Sequence, residues 1–254
     1  MKYFLTGLWG LVCLGVLVYG HIHWNKETAA NAVAQAPAVE QQVTNEVNFD
    51  QYLALAANWP ESAREQLKLH MQEGTPFKIL FVGSSLMEWE KNVTQSLIES
   101  FGSDKLQTAV HTYDLTSEAI VAENKQLELA AEKAQLILIE PFLLNDNGRI
   151  KIDATLANVT KIMEDIKAAN PDTTFILQPS NPFYLPNYYA DQVEALKVYA
   201  AANNVTYLDH WQAWPATDNP EIKNYLNGDT EPNETGYQVW SQFLVEYFVN
   251  KKAN

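Results

Sequence analysis

The stretch KILFVGSSLMEWE, residues 78–90, decides the fold. Its first part is a short apolar run, Ile79 to Val82, which has the length and side chains of a strand covered on both faces. Gly83 then permits a tight turn, and Ser84 and Ser85 follow it. Beyond them Trp89, Val93, Leu97 and Phe101 recur every fourth residue, which is the stripe of a helix with one face in a core.

The same unit repeats downstream. Short β-rich runs occur at TAVHTY (108–113), LILIE (136–140), TFILQ (174–178) and VTYLD (205–209), with helix-period segments between them. Leu156, Val159, Ile162, Met163 and Ile166 mark the apolar face of one such helix. Strand, helix, strand in regular alternation defines the α/β class: a three-layer sandwich around a parallel sheet, here of five strands. No internal sequence repeat is visible.

Upstream of this pattern the composition changes twice. Residues 1–24 contain an uncharged apolar run from Tyr3 to Gly20 behind Lys2. As a helix it rises about 27 Å, close to the hydrocarbon thickness of a bilayer. It reads as a transmembrane signal anchor, with a cleaved signal ending near Gly20 as the alternative. Lys2 on the short side places the N-terminus in the cytoplasm and the rest of the chain outside the cell membrane. Residues 25–46, rich in Ala, Gln, Asn and Val, read as a flexible spacer, and 47–254 as the globular domain.

Composition removes several functions. The chain has 254 residues, 47% of them hydrophobic, enough for one substantial core. Its formal charge is −14 and it has no Lys/Arg cluster, so nucleic acid is not an expected partner. The single cysteine, Cys13, forms no internal disulfide and no Cys-based metal site, and the five histidines lack metal-ligand spacing. No cofactor is expected.

In a parallel α/β sheet, ligands bind beyond the carboxyl ends of the strands. After the first strand, Ser84 or Ser85 can present a hydroxyl at a helix N-terminus, or cap that helix. After the third, Asn145 in NDNG can donate an amide to an oxyanion or form an Asx turn. The fifth ends in LDHWQAWP, which puts Asp209 or His210 on the same edge. Phe183, Tyr184, Tyr188 and Tyr189, in the loop after the fourth strand, can stack on sugar rings or pack within the loop.

Taken in order, FVGSSL, LLND and EPNETGYQVW resemble the conserved blocks of the SGNH/GDSL hydrolases, over residues 77 to about 248. The resemblance implies a flavodoxin-like sheet with strand order 2-1-3-4-5. It also implies a nucleophile at Ser85, with Ser84 where many members have Asp, and an oxyanion-hole amide at Asn145. Three departures stand out. The second block lacks its glycine, so the backbone donor falls to Leu115, Thr116 or Ser117. Leu143 replaces the glycine that leads the third block. Glu231 stands where the family keeps its histidine, while Gly228 stands where it keeps the aspartate and Asp229 is one position out of register.

A serine hydroxyl needs a proton acceptor within reach, best with a pKa near neutrality. Three answers remain open: Glu231 desolvated among Trp240 and other aromatics, His210 reaching in from roughly 14 Å away by strand spacing, or a silent site that only binds. The resemblance and the location together imply an esterase or acyltransferase acting on O-acetyl groups of cell-envelope polysaccharide. A glycan-binding or scaffolding domain is the alternative.

Overall fold

The computed structural model describes residues 49–84 and 87–251. The 3–20 apolar run, the 25–46 spacer and Ser85 lie outside the described residues, and no helix among the described residues is long and apolar enough to cross a membrane. From Phe49 onward the chain forms one compact unit.

Five parallel strands form its sheet: β1 (Phe77–Gly83), β2 (Leu106–Thr112), β3 (Leu136–Ile139), β4 (Thr174–Leu177) and β5 (Thr206–Tyr207). Their order is β2-β1-β3-β4-β5, as the resemblance implies. Side chains alternate across β1. Phe77, Ile79 and Phe81 enter one core, Leu80 and Val82 the other. β3 divides in the same way, with Leu136 and Leu138 on the first face and Ile137 and Ile139 on the second. That two-sided burial is why the strands read as unbroken apolar runs.

The first face is covered by α1 (Asp50–Leu55), α2 (Glu61–Glu73), α3 (Glu90–Phe101) and, after the last strand, a long C-terminal helix. α3 buries Val93, Leu97 and Phe101, with Trp89 buried just before it, so the four-residue stripe is its core face. Each such large side chain is worth about 1.5–3 kcal/mol of burial. The second face carries α4 (Ser117–Ala122), α5 (Lys125–Ala131), then, beyond the short α6 (Leu143–Asp146), α7 (Ile152–Ala169) and α8 (Tyr188–Ala202). α7 contributes Val159, Ile162, Met163 and Ile166.

After β5 the chain passes through two 3₁₀ turns into a small antiparallel hairpin, β6 (Leu226–Asn227) and β7 (Glu231–Pro232), and ends in α9 (Glu234–Phe248). The two extremes of the unit are joined. Trp59 Nε1 donates to the Phe248 carbonyl at 3.0 Å, Asn250 N to Leu55 O at 2.8 Å, and the Asn58 amide reaches the carbonyls of Glu246 and Tyr247.

β2 is an open edge strand, only partly buried. Its His111 Nε2 pairs with Glu132 at 2.9 Å, and Glu132 also receives Lys78 from β1 at 3.2 Å.

Candidate active site

Backbone hydrogen bonds bring the carboxyl ends of the central strands level. Glu140 N donates to Val82 O, Gln178 N to Ile139 O, and Leu208 N to Leu177 O. Ser84, Glu140 and Gln178 therefore stand in neighbouring positions at one edge.

Gly83 is extended, the last residue of β1, and is not the left-handed turn that a glycine there suggests. Its missing side chain matters for space: a Cβ would lie 2.4 Å from Met87 Sδ and 2.8 Å from Glu140 Cβ. The following helix also starts later than expected. α3 begins at Glu90, and Trp89 precedes it with no side-chain cap, so Ser84 neither caps the helix nor sits at its N-terminus. Instead the Ser84 hydroxyl donates to Glu140 Oε1 at 2.9 Å, both residues being buried.

Glu140 was not legible as a site residue, because it ends LILIE as though the strand simply ran on. The signal was there: it is the one charge in that run. Burial pushes its carboxyl up to about 7, and the Ser180 and Ser84 hydroxyls offset only part of this. Ser180 Oγ lies near enough to act on the carboxyl, yet its geometry is that of an unbonded neighbour; it and Glu140 Oε2 are buried without a hydrogen-bond partner. The turn that follows is strained, with Phe142 at φ 61° and its N–H donating back to Glu140 O at 2.8 Å. For a bulky residue this costs on the order of 1–3 kcal/mol, and such strain clusters at functional sites.

The strained turn opens α6, whose last two residues divide their roles. Asp146 faces inward and accepts Ser117 N at 2.8 Å, Ser117 Oγ at 2.6 Å and Thr155 Oγ1 at 2.5 Å, tying α6 to the starts of α4 and α7. Asn145 faces outward, and its amide donates to Asp114 Oδ1 at 3.1 Å in the loop after β2. The second and third blocks thus meet, with the Asn145 amide on the same sheet edge as Ser84. Of the backbone donors considered, Ser117 N is committed to Asp146, which leaves Leu115 and Thr116.

Neither candidate base has the environment expected of it. Glu231 is exposed on β7 opposite Asn227, carried outward by a hairpin whose Gly228 has φ 60°. It is not desolvated by Trp240. That indole is fully buried and stacks on His210, ring centroids 4.3 Å apart. His210 is itself fully buried with both ring nitrogens engaged, Nε2 with Pro179 O at 3.0 Å and Nδ1 with Trp214 Nε1–H at 3.2 Å. Burial drives it down to about 3, and the carbonyls of Pro179 and Ser180 oppose this only in part. It is a neutral packing residue with no nitrogen left to accept a serine proton.

The last block survives as a folding device. Asn233 Oδ1 caps α9 through Gly236 N at 3.1 Å, while its amide closes the hairpin onto Asn224 O and Leu226 O. Gly236 lets the helix approach Tyr225 O, which a Cβ would meet at 2.3 Å. Asn181 Nδ2 holds the hairpin to the loop after β4 through Thr230 O at 2.7 Å. Beside the hairpin an open groove is lined by Glu88, Asn92, Asn227, Pro232, Asn233 and Tyr237, among others. The Tyr237 phenol is pushed up to about 12, first by burial and then by Glu88, Glu231 and Glu140, so it stays a hydrogen-bond donor. In the aromatic loop Phe183 stacks on buried Tyr189 at 5.2 Å and Tyr184 lies under Lys223, leaving Tyr188 exposed.

No protein-family model matches the sequence, and no curated protein is similar to it. Solved structures do match. A GDSL-like lipase from Bacteroides thetaiotaomicron superposes with a TM-score of 0.51 at 16% identity, over 74% of this chain and 98% of that one. An acetylxylan esterase from Geobacillus stearothermophilus, solved as a catalytic mutant, gives 0.53 at 14% identity, over 69% and 95%. A family 3 carbohydrate esterase from Talaromyces cellulolyticus gives 0.55 at 16%, over 66% and 94%. The chain has the SGNH/GDSL-hydrolase fold.

Proposed function

We propose that this chain is an SGNH-type serine esterase or acyltransferase acting on O-acetyl groups of a cell-envelope polysaccharide. Ser85 is the nucleophile; Asn145 and the N–H of Leu115 or Thr116 stabilise the oxyanion. The observation that carries the reading is the convergence, at one edge of this sheet, of the Ser84–Glu140 pair, the Asn145–Asp114 pair and the strained Phe142 corner. The polysaccharide part rests on the acetylxylan esterases among the similar structures, and on the expectation, part of this proposal, that residues 1–24 anchor the chain with the domain outside the cell. In the reaction Ser85 Oγ bonds to the acyl carbon, its proton passes to a base, the sugar alkoxide leaves with a proton, and water or a second hydroxyl takes the acyl group.

A glycan-binding module without turnover is the second reading. It is favoured by His210, whose ring nitrogens are both used internally, and by the exposure of Glu231. The test is hydrolysis of p-nitrophenyl acetate and of acetylated xylooligosaccharide, with Ser85→Ala as control. Turnover abolished by Ser85→Ala supports the esterase. Retention of glycan by an inert protein supports the module. Glu231→His, which puts an imidazole where the family keeps one, raises a weak wild-type rate. General-base catalysis is worth about 10² to 10⁴-fold, so even a misoriented ring gives a measurable gain. Protease accessibility of the domain on intact cells tests the placement outside.

A further inference from the structure

A fully buried carboxyl with no cation facing it is costly unless something uses it. Glu140 is such a group. Among the described residues, the groups that act on it are the Ser84 hydroxyl and backbone N–H at the end of β1, the Ser180 hydroxyl beyond β4, and the phenols of Tyr189 on α8 and Tyr237 on α9, both held protonated well above neutrality. Gly83 forgoes a side chain where Glu140 and Met87 crowd it, and the Phe142 corner holds the chain just behind. These features place one carboxyl against the serine turn of the candidate site.

We infer that Glu140 is a positioning residue that acts through Ser84 and makes the site responsive to pH. The role rests on the esterase reading and goes beyond it. As a carboxylate, Glu140 accepts a charge-assisted hydrogen bond from Ser84 Oγ–H, the stronger kind, and so fixes Ser84 just beyond β1. When it takes a proton from solvent, the bond from Ser84 becomes a neutral one and the new carboxyl O–H needs an acceptor. The hydroxyl oxygen of Ser180, buried without a hydrogen-bond partner among the described residues and close enough to act on the carboxyl, is the acceptor at hand. Protonation thus moves the hold of Glu140 from Ser84 toward Ser180 beyond β4, and Ser84 is held less firmly. The carboxyl titrates at about 7 because of its burial, so this exchange falls within the physiological range.

The experiment combines kinetics with a titration that needs no turnover. Hydrolysis of p-nitrophenyl acetate by the full chain is followed from about pH 5 to about 9, where a positioned acid or base shows itself in kcat. The Glu140 side-chain carboxyl is followed in parallel by carbon NMR and assigned by its loss in Glu140→Gln. The wild-type kcat is expected to rise with pH to a plateau, its midpoint coinciding with the carboxyl titration, while KM stays level. Glu140→Gln, whose amide still accepts from Ser84, keeps turnover and loses the midpoint. Ser84→Ala keeps the carboxyl titration but uncouples kcat from it, which a merely structural carboxyl would not do. Turnover with the same midpoint in Glu140→Gln overturns the role and leaves the esterase reading intact. A wild type inert toward every ester removes the esterase reading and this role with it.

Discussion

Two buried titratable side chains sit on the same sheet edge, two strands apart, and their surroundings could hardly differ more. His210, after β5, has a partner for each ring nitrogen and an indole across its face. Glu140, after β3, has one oxygen on a serine and the other without a hydrogen-bond partner among the described residues. Burial shifts both strongly, in each case toward the neutral form. What separates a packing group from a poised one is therefore the state of its remaining valences. An imidazole with both nitrogens used has no capacity left for chemistry, whereas a carboxyl held on one side still has it.

The largest expected effect tests the packing half of this contrast. His210→Ala removes a ring stacked on Trp240 and leaves Trp214 Nε1 without its acceptor. It is expected to cost about 3–5 kcal/mol by urea denaturation, with kcat/KM of the folded fraction little changed. A stable variant that had lost ester turnover would return His210 to the chemistry.

The next prediction sets the two groups against each other through pH. Between about 4.5 and 7 folded Glu140 keeps a proton that the unfolded chain has released, so its contribution favours folding at the acid end and is lost as pH rises through 7. His210 works in the opposite direction. Unfolded, it takes a proton below about 6.5; folded, it stays neutral down to about 3, so its contribution is present above 6.5 and falls away as pH drops. Each slope is at most about 1.4 kcal/mol per pH unit. Glu140→Gln should therefore become more stable relative to wild type as pH rises from 4.5 to 7, and a thermal melting difference that stays constant with pH would contradict the buried carboxyl.

Smaller effects probe the frame. Gly83→Ala drives a methyl into Met87 and Glu140, and should cost about 1–3 kcal/mol and lower kcat by shifting Glu140 and the Ser84 that it holds. Melting and kinetics on one sample check both. Glu231→Gln, on an exposed hairpin, should change stability by less than about 0.5 kcal/mol; a larger loss would mean that Glu231 is buried in solution.

The sheet was legible because its strands are apolar on both faces, and the helices because Trp89, Val93, Leu97 and Phe101 keep a strict spacing. The site was legible only in part. Asn145 announced itself in a turn sequence, and its neighbour Asp146 proved to be the internal anchor that fixes it. Glu140 stayed hidden, since a carboxyl that closes the apolar run LILIE reads as the last residue of the strand. His210 and Glu231 drew attention by residue type, yet whether a ring nitrogen is already bonded or a hairpin turns outward depends on contacts far apart in the sequence. Gly83 was read as a turn, when its role is the room it leaves for side chains from residues 87 and 140.

The bond from Trp59 to the carbonyl of Phe248 joins residues 189 positions apart. On a ribosome the chain emerges in order, so Trp59 can pack on Phe77 and Phe101 early, but its indole N–H and the edge that meets Phe248 wait until α9 has been made. The sheet can start to assemble once β3 has joined β1, but its first face stays open until α9 arrives. A nascent chain halted before α9 would thus carry a partly open aromatic face in need of a chaperone, and α9 is the latch that ends that exposure.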